Sequence, residues 1–208
     1  MSSDAAAPVP RAPRPTIIGP DSGPEPPYPL RMEGEVISGF GRGSKELGIP
    51  TANIPVAGVP WIEDAESGVY FGYASLHLPA SHPDLSSSTS PPSSSSNNWR
   101  TFPMVMSIGY NPFYKNTVRS AEVHVLHAFT KDFYGSWMRV SVSGFIRREL
   151  DYVDVESLIR DIRVDCEVAR RSLERGGWGP GKEKMWLEGE GWSENERVEK
   201  VDGEGSKV

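Results

Sequence analysis

Two hydrophobic periods divide the central part of this chain, and they constrain its fold more than any other feature. Residues 68–78, 119–128 and 137–147 are rich in β-branched and aromatic residues and are predicted to be strands, with residues 101–108 pairing with the first. From residue 154 to residue 173 the apolar positions recur every three or four residues, which is the period of one helix face. Short antiparallel strands followed by one helix predict a mostly β, closed barrel with the helix packed outside.

The elements at the two ends of this pattern have their own signals. Residues 32–36 alternate apolar and polar side chains, which predicts a strand that leads directly into a glycine-rich stretch. Asp154 is a favourable N-cap for the helix, and Glu156 suits the first turn because helix N-termini attract negative charge. Gly176-Gly177 is predicted to end the helix.

Three segments have a composition that does not favour a packed core. Residues 1–30 hold nine prolines and show no period, so a disordered, proline-rich arm is expected there. Residues 79–98 form a Ser/Pro/Asn-rich loop, which we expect to be inserted at the tip of a hairpin. Residues 188–208 carry seven acidic and three basic side chains, which predicts a solvated acidic tail. The folded domain is therefore expected to span residues 31–187.

Charge and cysteine content exclude several classes of function. The formal net charge is −6, of which the arm carries −1 and the tail −4, so residues 31–187 are close to neutral and no nucleic-acid partner is expected. The single cysteine, Cys166, excludes an internal disulfide and a cysteine-built zinc site, and it is compatible with the reducing cytoplasm, although association with an organelle stays open. The chain has no apolar run of about 18 residues and no secretory signal, so no membrane span is expected.

The stretch from residue 39 to residue 53 has the composition of a phosphate-binding loop. Four of its glycines permit positive φ and close approach of the backbone to a ligand, and Arg42 and Lys45 supply positive charge. Neither the Walker pattern nor the dinucleotide pattern G-x-G-x-x-G fits, because Ser44 precedes Lys45 and no glycine occupies the last position of the second pattern. Composition alone leaves a flexible surface loop as an equal alternative.

Oxygen-bearing side chains close this stretch and recur farther along the chain. Thr51 and Asn53 are two residues apart, so they lie on one side of an extended segment and offer oxygens suited to a hard cation. Glu122 lies on the polar face of its strand, where the simpler interpretation is exposure to solvent and the functional one is a base that accepts a proton from a substrate hydroxyl. The four histidines show no metal-ligand spacing.

Several stretches taken together resemble the riboflavin kinases, in order, over most of residues 31–175. The most specific are the Pro-Thr-Ala-Asn ending of the glycine-rich stretch at residues 50–53 and Glu-Val-His at residues 122–124. Others are Gly34-x-Val36, Gly68-Val-Tyr70, Ser107-Ile-Gly-Tyr-Asn-Pro112, Asp132-Phe-Tyr-Gly135 and Gly144-Phe-Ile-Arg147.

The resemblance implies a six-stranded, Greek-key-like antiparallel β-barrel with a C-terminal helix, which transfers the γ-phosphoryl group of ATP to the ribityl 5′-hydroxyl of riboflavin and releases FMN and ADP. Thr51 and Asn53 would bind Mg²⁺, with Zn²⁺ or Mn²⁺ as alternatives, and Glu122 would be the catalytic base. Asp132, Tyr134 and Arg147 would contact the flavin. The residues expected to bind ATP are those of a glycine-rich flap: Gly39, Gly41, Arg42, Gly43, Ser44, Lys45 and Gly48.

Two features of the chain set limits on the resemblance. The Ser/Pro-rich insertion and the two tails do not belong to the family pattern. No His-x-Gly-His motif for a nucleotidyltransferase is present, so a single activity is expected. The protein is also expected to be a monomer. The alternatives are a non-catalytic flavin- or nucleotide-binding barrel and, less in keeping with the neutral core, an oligonucleotide-binding barrel.

Overall fold

Six antiparallel strands form one curled sheet, and the main helix packs against its outer face. The computed structural model describes residues 14–38, 48–85, 98–110 and 119–191. In the sheet the strands follow the order β1-β6-β3-β4-β5-β2, and every neighbouring pair is antiparallel. This arrangement confirms the predicted six-stranded antiparallel fold. The strands are β1 (Leu30–Glu35), β2 (Ala52–Ile54), β3 (Gly68–His77), β4 (Trp99–Tyr110), β5 (Arg119–Val125) and β6 (Trp137–Arg148).

The two edge strands of this sheet, β1 and β2, meet and close it into a barrel. The Ile37 N–H, just past β1, donates to the Asn53 carbonyl of β2 at 3.0 Å, which forms an isolated antiparallel bridge. Gly34 permits the approach, because a Cβ atom there would lie 2.6 Å from Ile54 Cγ2. The closure brings residues 48–53, the described part of the glycine-rich stretch, and the end of β1 to one mouth of the barrel.

The short strand β2 was not predicted as a strand. The spacing of Thr51 and Asn53 indicated an extended segment, and residues 52–54 of that segment pair with β5. Three residues are too few to show a two-residue period, so only the pairing partner reveals this strand.

The Ser/Pro-rich insertion begins at the tip of the β3–β4 hairpin, as expected. The hairpin register runs without a break from Gly68 opposite Ile108 to His77 opposite Trp99. The chain then forms a 3-10 turn at Pro83–Leu85, in which Asp84 is buried. Residues 86–97 lie outside the described part of the chain.

Apolar side chains pack on both faces of the sheet. The inner face fills the barrel, with Ala74, Leu76, Met104, Met138 and Val140 all fully buried. The outer face packs against the helix in a second cluster that includes Phe71, Ile146, Cys166, Ala169 and Leu173. Burial on both sides explains why β3 and β6 are almost continuously buried, in contrast to strands with one wet face.

The main helix, α1 (Val155–Leu173), begins at the predicted N-cap. The Asp154 carboxylate accepts from the Ser157 N–H at 2.6 Å and from the Ser157 hydroxyl at 3.0 Å, and these bonds lower the pKa of Asp154. The helix ends at Leu173, and Gly176 opens a separate 3-10 turn. A second helix, α2 (Lys184–Leu187), is a single turn without a readable period. No helix in the described ranges is both long and apolar enough to cross a membrane.

Ordered contacts extend beyond both ends of the domain expected from composition. The Ile18 N–H donates to Ser172 Oγ at 2.9 Å, the Trp178 indole donates to the Pro20 carbonyl at 2.7 Å, and Arg14 pairs with Asp161 at 2.6 Å. At the other end, Arg139 donates to the Glu190 carbonyl at 2.9 Å. The expected boundaries at residues 31 and 187 therefore leave out packed residues, namely 14–29 and 188–191, while residues 1–13 and 192–208 lie outside the described part.

Candidate active site

A cavity of about 580 Å³ opens at the barrel mouth where β2, the end of β5, the following loop and α1 come together. Its size is within the range of small-molecule sites. The wall includes polar groups from β2 and β5, aromatic rings from the loop and one arginine from α1. Its main members are Gly48, Pro50, Thr51, Asn53, His124, His127, Phe129, Lys131, Asp132, Phe133, Tyr134 and Arg170.

The β2–β5 strand pair brings together the three oxygen-bearing residues singled out in the sequence. Asn53 lies directly opposite Glu122 in the register, so their side chains share one face of the sheet. The Thr51 hydroxyl donates to Glu122 Oε2 at 3.4 Å. Thr51 and Asn53 line the cavity, whereas Glu122 is half-buried, is not among the lining residues and contacts Thr51. A hydroxyl, an amide and a carboxylate from distant parts of the chain therefore converge on one spot.

His124 holds the start of this oxygen-rich segment in place. Its Nδ1 lies 2.8 Å from the Pro50 carbonyl, and because a carbonyl only accepts, Nδ1 carries the proton in this bond. Burial lowers the pKa of His124, the bond to Pro50 opposes that effect, and the positive charge of Arg170 adds to the lowering. A neutral imidazole is thus favoured at this position, and it acts as a backbone clamp.

The loop that follows β5, residues 126–134, forms the aromatic side of the cavity. Phe129 and Phe133 pack edge-to-face with centroids 4.6 Å apart, and both also pack against the barrel core. The loop is tied back to β1, because the Gly135 N–H donates to the Val36 carbonyl at 2.9 Å. Tyr134 is 56% exposed, so its ring is available at the rim.

The structure brings some of the predicted site residues together and places others elsewhere. Gly48, with φ of +71°, lines the cavity together with Thr51, Asn53, Asp132 and Tyr134. Arg147 is not part of this wall, because its Nε and Nη2 donate to the buried carboxylate of Asp165 on α1, at 2.7 to 3.0 Å, and its Nη1 donates to the Arg148 carbonyl at 2.9 Å. Six flap residues fall outside the described part of the chain: Gly39, Gly41, Arg42, Gly43, Ser44 and Lys45.

Several wall residues were missed by sequence reasoning. Arg170 follows Cys166 by one helical turn, so it borders the buried stripe of α1, but nothing in that period marks it as facing a cavity. Lys131 and Phe129 lie in a turn-like stretch that gave no period. His127 stacks on Phe102 with centroids 4.6 Å apart, and this contact between β4 and the loop has no signal in the sequence.

The donor set fits a hard divalent cation better than a softer metal. Hydroxyl, amide and carboxylate oxygens are the ligands preferred by Mg²⁺, which binds proteins through few side chains and keeps several waters. Within the described ranges, no group of three or more His, Cys, Asp and Glu side chains is placed to hold a metal ion. A metal at this site would therefore depend on Thr51, Asn53 and oxygens from the substrate.

Comparisons with known proteins agree on one family. The family model described as riboflavin kinase matches residues 26–173. A riboflavin kinase of Pyricularia oryzae is 63% identical over 169 residues, covering 80% of this chain and 82% of the relative. One from Chaetomium globosum is 60% identical over 191 residues, covering 80% and 81%. The crystal structure of riboflavin kinase from Trypanosoma brucei has a TM-score of 0.57 and 23% identity, covering 79% of this chain and 92% of that one, which supports the fold.

Proposed function

This chain belongs to the riboflavin kinase family, and we propose that it transfers the γ-phosphoryl group of ATP to the ribityl 5′-hydroxyl of riboflavin. The products are FMN and ADP. The observation that carries this proposal is the placement of Glu122 beside Thr51, at 3.4 Å, and opposite Asn53 in the strand register. This arrangement joins a proton acceptor to oxygens that suit a phosphate-bound cation.

Glu122 is proposed as the general base. As the 5′-oxygen of riboflavin forms its bond to the γ-phosphorus, the hydroxyl proton passes to a Glu122 carboxylate oxygen, and the bond to the ADP oxygen breaks. General bases of this type contribute about 10²- to 10⁴-fold to the rate. The Thr51 hydroxyl, which donates to Oε2, orients the carboxylate for this step.

Thr51 and Asn53 are proposed to hold the divalent metal that accompanies ATP, with Mg²⁺ as our choice among Mg²⁺, Zn²⁺ and Mn²⁺. When bound, such an ion neutralises phosphate charge as it develops during transfer. The contribution of the protein itself is to hold Thr51 and Asn53 in position. The β2–β5 ladder fixes the two side chains, and the bond from His124 to the Pro50 carbonyl holds the segment that carries them.

The remaining cavity residues are proposed to bind the two substrates. Arg170 and Lys131 place positive charge in the wall, which suits the phosphates of ATP. Asp132 and Tyr134 line the cavity and are proposed to contact the flavin, and contact between Arg147 and the flavin also stays a prediction. The flap from Gly39 to Gly48 is proposed to cover the nucleotide phosphates.

The test is direct formation of FMN. Purified protein incubated with riboflavin, ATP and Mg²⁺ should yield FMN and ADP in equal amounts. Chromatography of the flavins measures the FMN that is formed. Chelation of the metal should stop the reaction, and a titration with Mg²⁺, Mn²⁺ and Zn²⁺ should restore it in an order that identifies the preferred ion. Folded protein that binds riboflavin or ADP but produces no FMN would instead establish the non-catalytic binding barrel.

Three expectations about the whole chain stay predictions. They are a single folded domain between a proline-rich arm and an acidic tail, a monomeric state, and a cytoplasmic location. Size-exclusion chromatography with light scattering checks the second, and imaging of the tagged protein in cells checks the third.

A further inference from the structure

Asp84 is a buried carboxylate in a segment whose composition predicts exposure. It lies in the first part of the Ser/Pro-rich insertion and is 1% exposed. A buried charge is costly unless hydrogen-bond donors compensate it, so its partners indicate what it does.

Three contacts join Asp84 to Thr130, which is 46 residues farther along the chain. The Thr130 N–H donates to Oδ2 at 3.0 Å. The Thr130 hydroxyl lies 3.2 Å from both carboxylate oxygens. A buried carboxyl group that lost these partners would be left unsatisfied, so this is a firm attachment.

The turn that carries Asp84 is itself fixed to the barrel. The His82 N–H donates to the Pro79 carbonyl at 2.8 Å, and the Leu85 N–H donates to the His82 carbonyl at 3.1 Å. The Arg100 guanidinium of β4 donates to the Leu85 carbonyl at 3.0 Å. Leu85 also packs against the barrel core. Asp84 therefore presents its carboxylate from a rigid support.

Thr130 sits in the middle of the cavity loop. Its neighbours on both sides, Phe129 and Lys131, line the cavity, and so do Asp132, Phe133 and Tyr134. His82 approaches the Phe129 ring edge-on, with centroids 6.4 Å apart. The base of the insertion thus touches the loop that forms one side of the proposed substrate site.

We propose that Asp84 is a positioning residue for substrate binding: it anchors Thr130 and so holds the loop of residues 126–134 in the shape that the substrates need. The inference rests on the proposed kinase function for its kinetic consequence, but the anchoring itself does not. It assigns a role in the site to a segment outside the family pattern.

The experiment compares Asp84→Ala, Asp84→Asn and Thr130→Val with the control Thr101→Val. Thr101 is on the same hairpin, and its hydroxyl donates to Ser75 Oγ at 3.0 Å, so the control removes a comparable bond away from the cavity. Backbone hydrogen exchange is measured on the substrate-free protein. Steady-state kinetics give kcat and the KM of each substrate, and thermal melting gives stability.

Asp84→Ala should speed exchange within residues 126–134 and raise at least one KM about fivefold, with kcat changed by less than about twofold. Thr130→Val should act in the same direction more weakly, and Asp84→Asn should fall between Asp84→Ala and the unchanged protein because its amide oxygen still accepts one bond. Thr101→Val should leave KM and loop exchange unchanged at a similar loss of stability.

Unchanged loop exchange and unchanged KM in folded variants would overturn the proposal, as would an equal rise of KM in the control. If Asp84→Ala does not fold, Asp84→Asn and Thr130→Val give the same two readouts. If the unchanged protein makes no FMN, the kinase proposal fails, while the exchange comparison still decides whether Asp84 anchors the loop.

Discussion

The two sides of the cavity are built in different ways. On the strand side, Thr51, Asn53 and Glu122 sit on or next to β2 and β5, so backbone hydrogen bonds fix their spacing. On the loop side, residues 126–134 have no ladder, and they are held by side chains such as the Asp84 carboxylate and the Phe129 ring.

This difference corresponds to different chemical demands. Proton removal requires atoms held within a fraction of an ångström, because misplacement by about 1 Å can cost 10²-fold in rate. Binding of two bulky substrates depends on the shape of the loop and helix surface that contacts them. We therefore expect changes on the strand side to lower kcat and changes on the loop and helix side to raise KM.

The largest effect is expected for Glu122→Gln. The amide keeps the size of the side chain and can still accept from the Thr51 hydroxyl, but it does not take up a proton at neutral pH. The kcat for FMN formation should fall by about 10² or more, with little change in the KM for ATP. Glu156→Gln, on the exposed first turn of α1, is the matched control. A kcat that stays within about tenfold of the unchanged protein would show that Glu122 is not the general base.

An intermediate effect is expected for Arg170→Gln. Loss of a charged donor to phosphate from a partly solvated wall should raise the KM for ATP about fivefold and leave kcat nearly unchanged. Arg171→Gln provides the control, because that neighbouring arginine is directed at Glu167, at 2.6 Å, and does not line the cavity. Equal behaviour of the two variants in assays at low and high salt would show that only general surface charge is involved.

The smallest effect is expected for His124→Asn. This change replaces an imidazole, which can gain a proton, by an amide that does not titrate but can still bind the Pro50 carbonyl. The pKa of His124 is lowered by burial, so its contribution to stability is complete above its unfolded pKa of about 6.5 and is lost as pH falls toward the folded pKa. The asparagine amide can still donate to the Pro50 carbonyl. Thermal melts between pH 5 and pH 8 should therefore show a shallower acid-side loss of stability in the variant. If the melting temperature falls equally steeply with pH in both proteins, the pKa of His124 is not lowered by folding.

The sequence predicted the longer elements well because each was long enough to show a composition or a period. The β-branched and aromatic composition of residues 137–147 corresponds to β6, and the three- and four-residue steps before Leu173 correspond to α1. The shorter elements β2 and α2 have three and four residues, less than one full repeat, and only tertiary contacts define them.

The site was predictable in part, and mainly from the resemblance. The residues alone favoured a solvent-exposed Glu122, because no local pattern shows that Asn53 pairs with it across two strands. The bond between Asp84 and Thr130 is equally non-local, since it spans 46 residues and starts in a segment of low complexity. Side-chain contacts of this kind depend on the closed barrel, and a linear pattern does not record them.

The barrel is closed by a backbone bridge between Ile37 and Asn53, and Asn53 belongs to the proposed catalytic centre. Neighbouring strands elsewhere share between three and ten paired positions, whereas among the described residues one isolated backbone bridge, between Ile37 and Asn53, joins the end of β1 to β2. A side chain at position 34 would push β1 and β2 apart, because its Cβ would clash with Ile54 Cγ2. The absence of a side chain at position 34 thus lets β1 pack against β2, the strand that places Asn53 opposite Glu122.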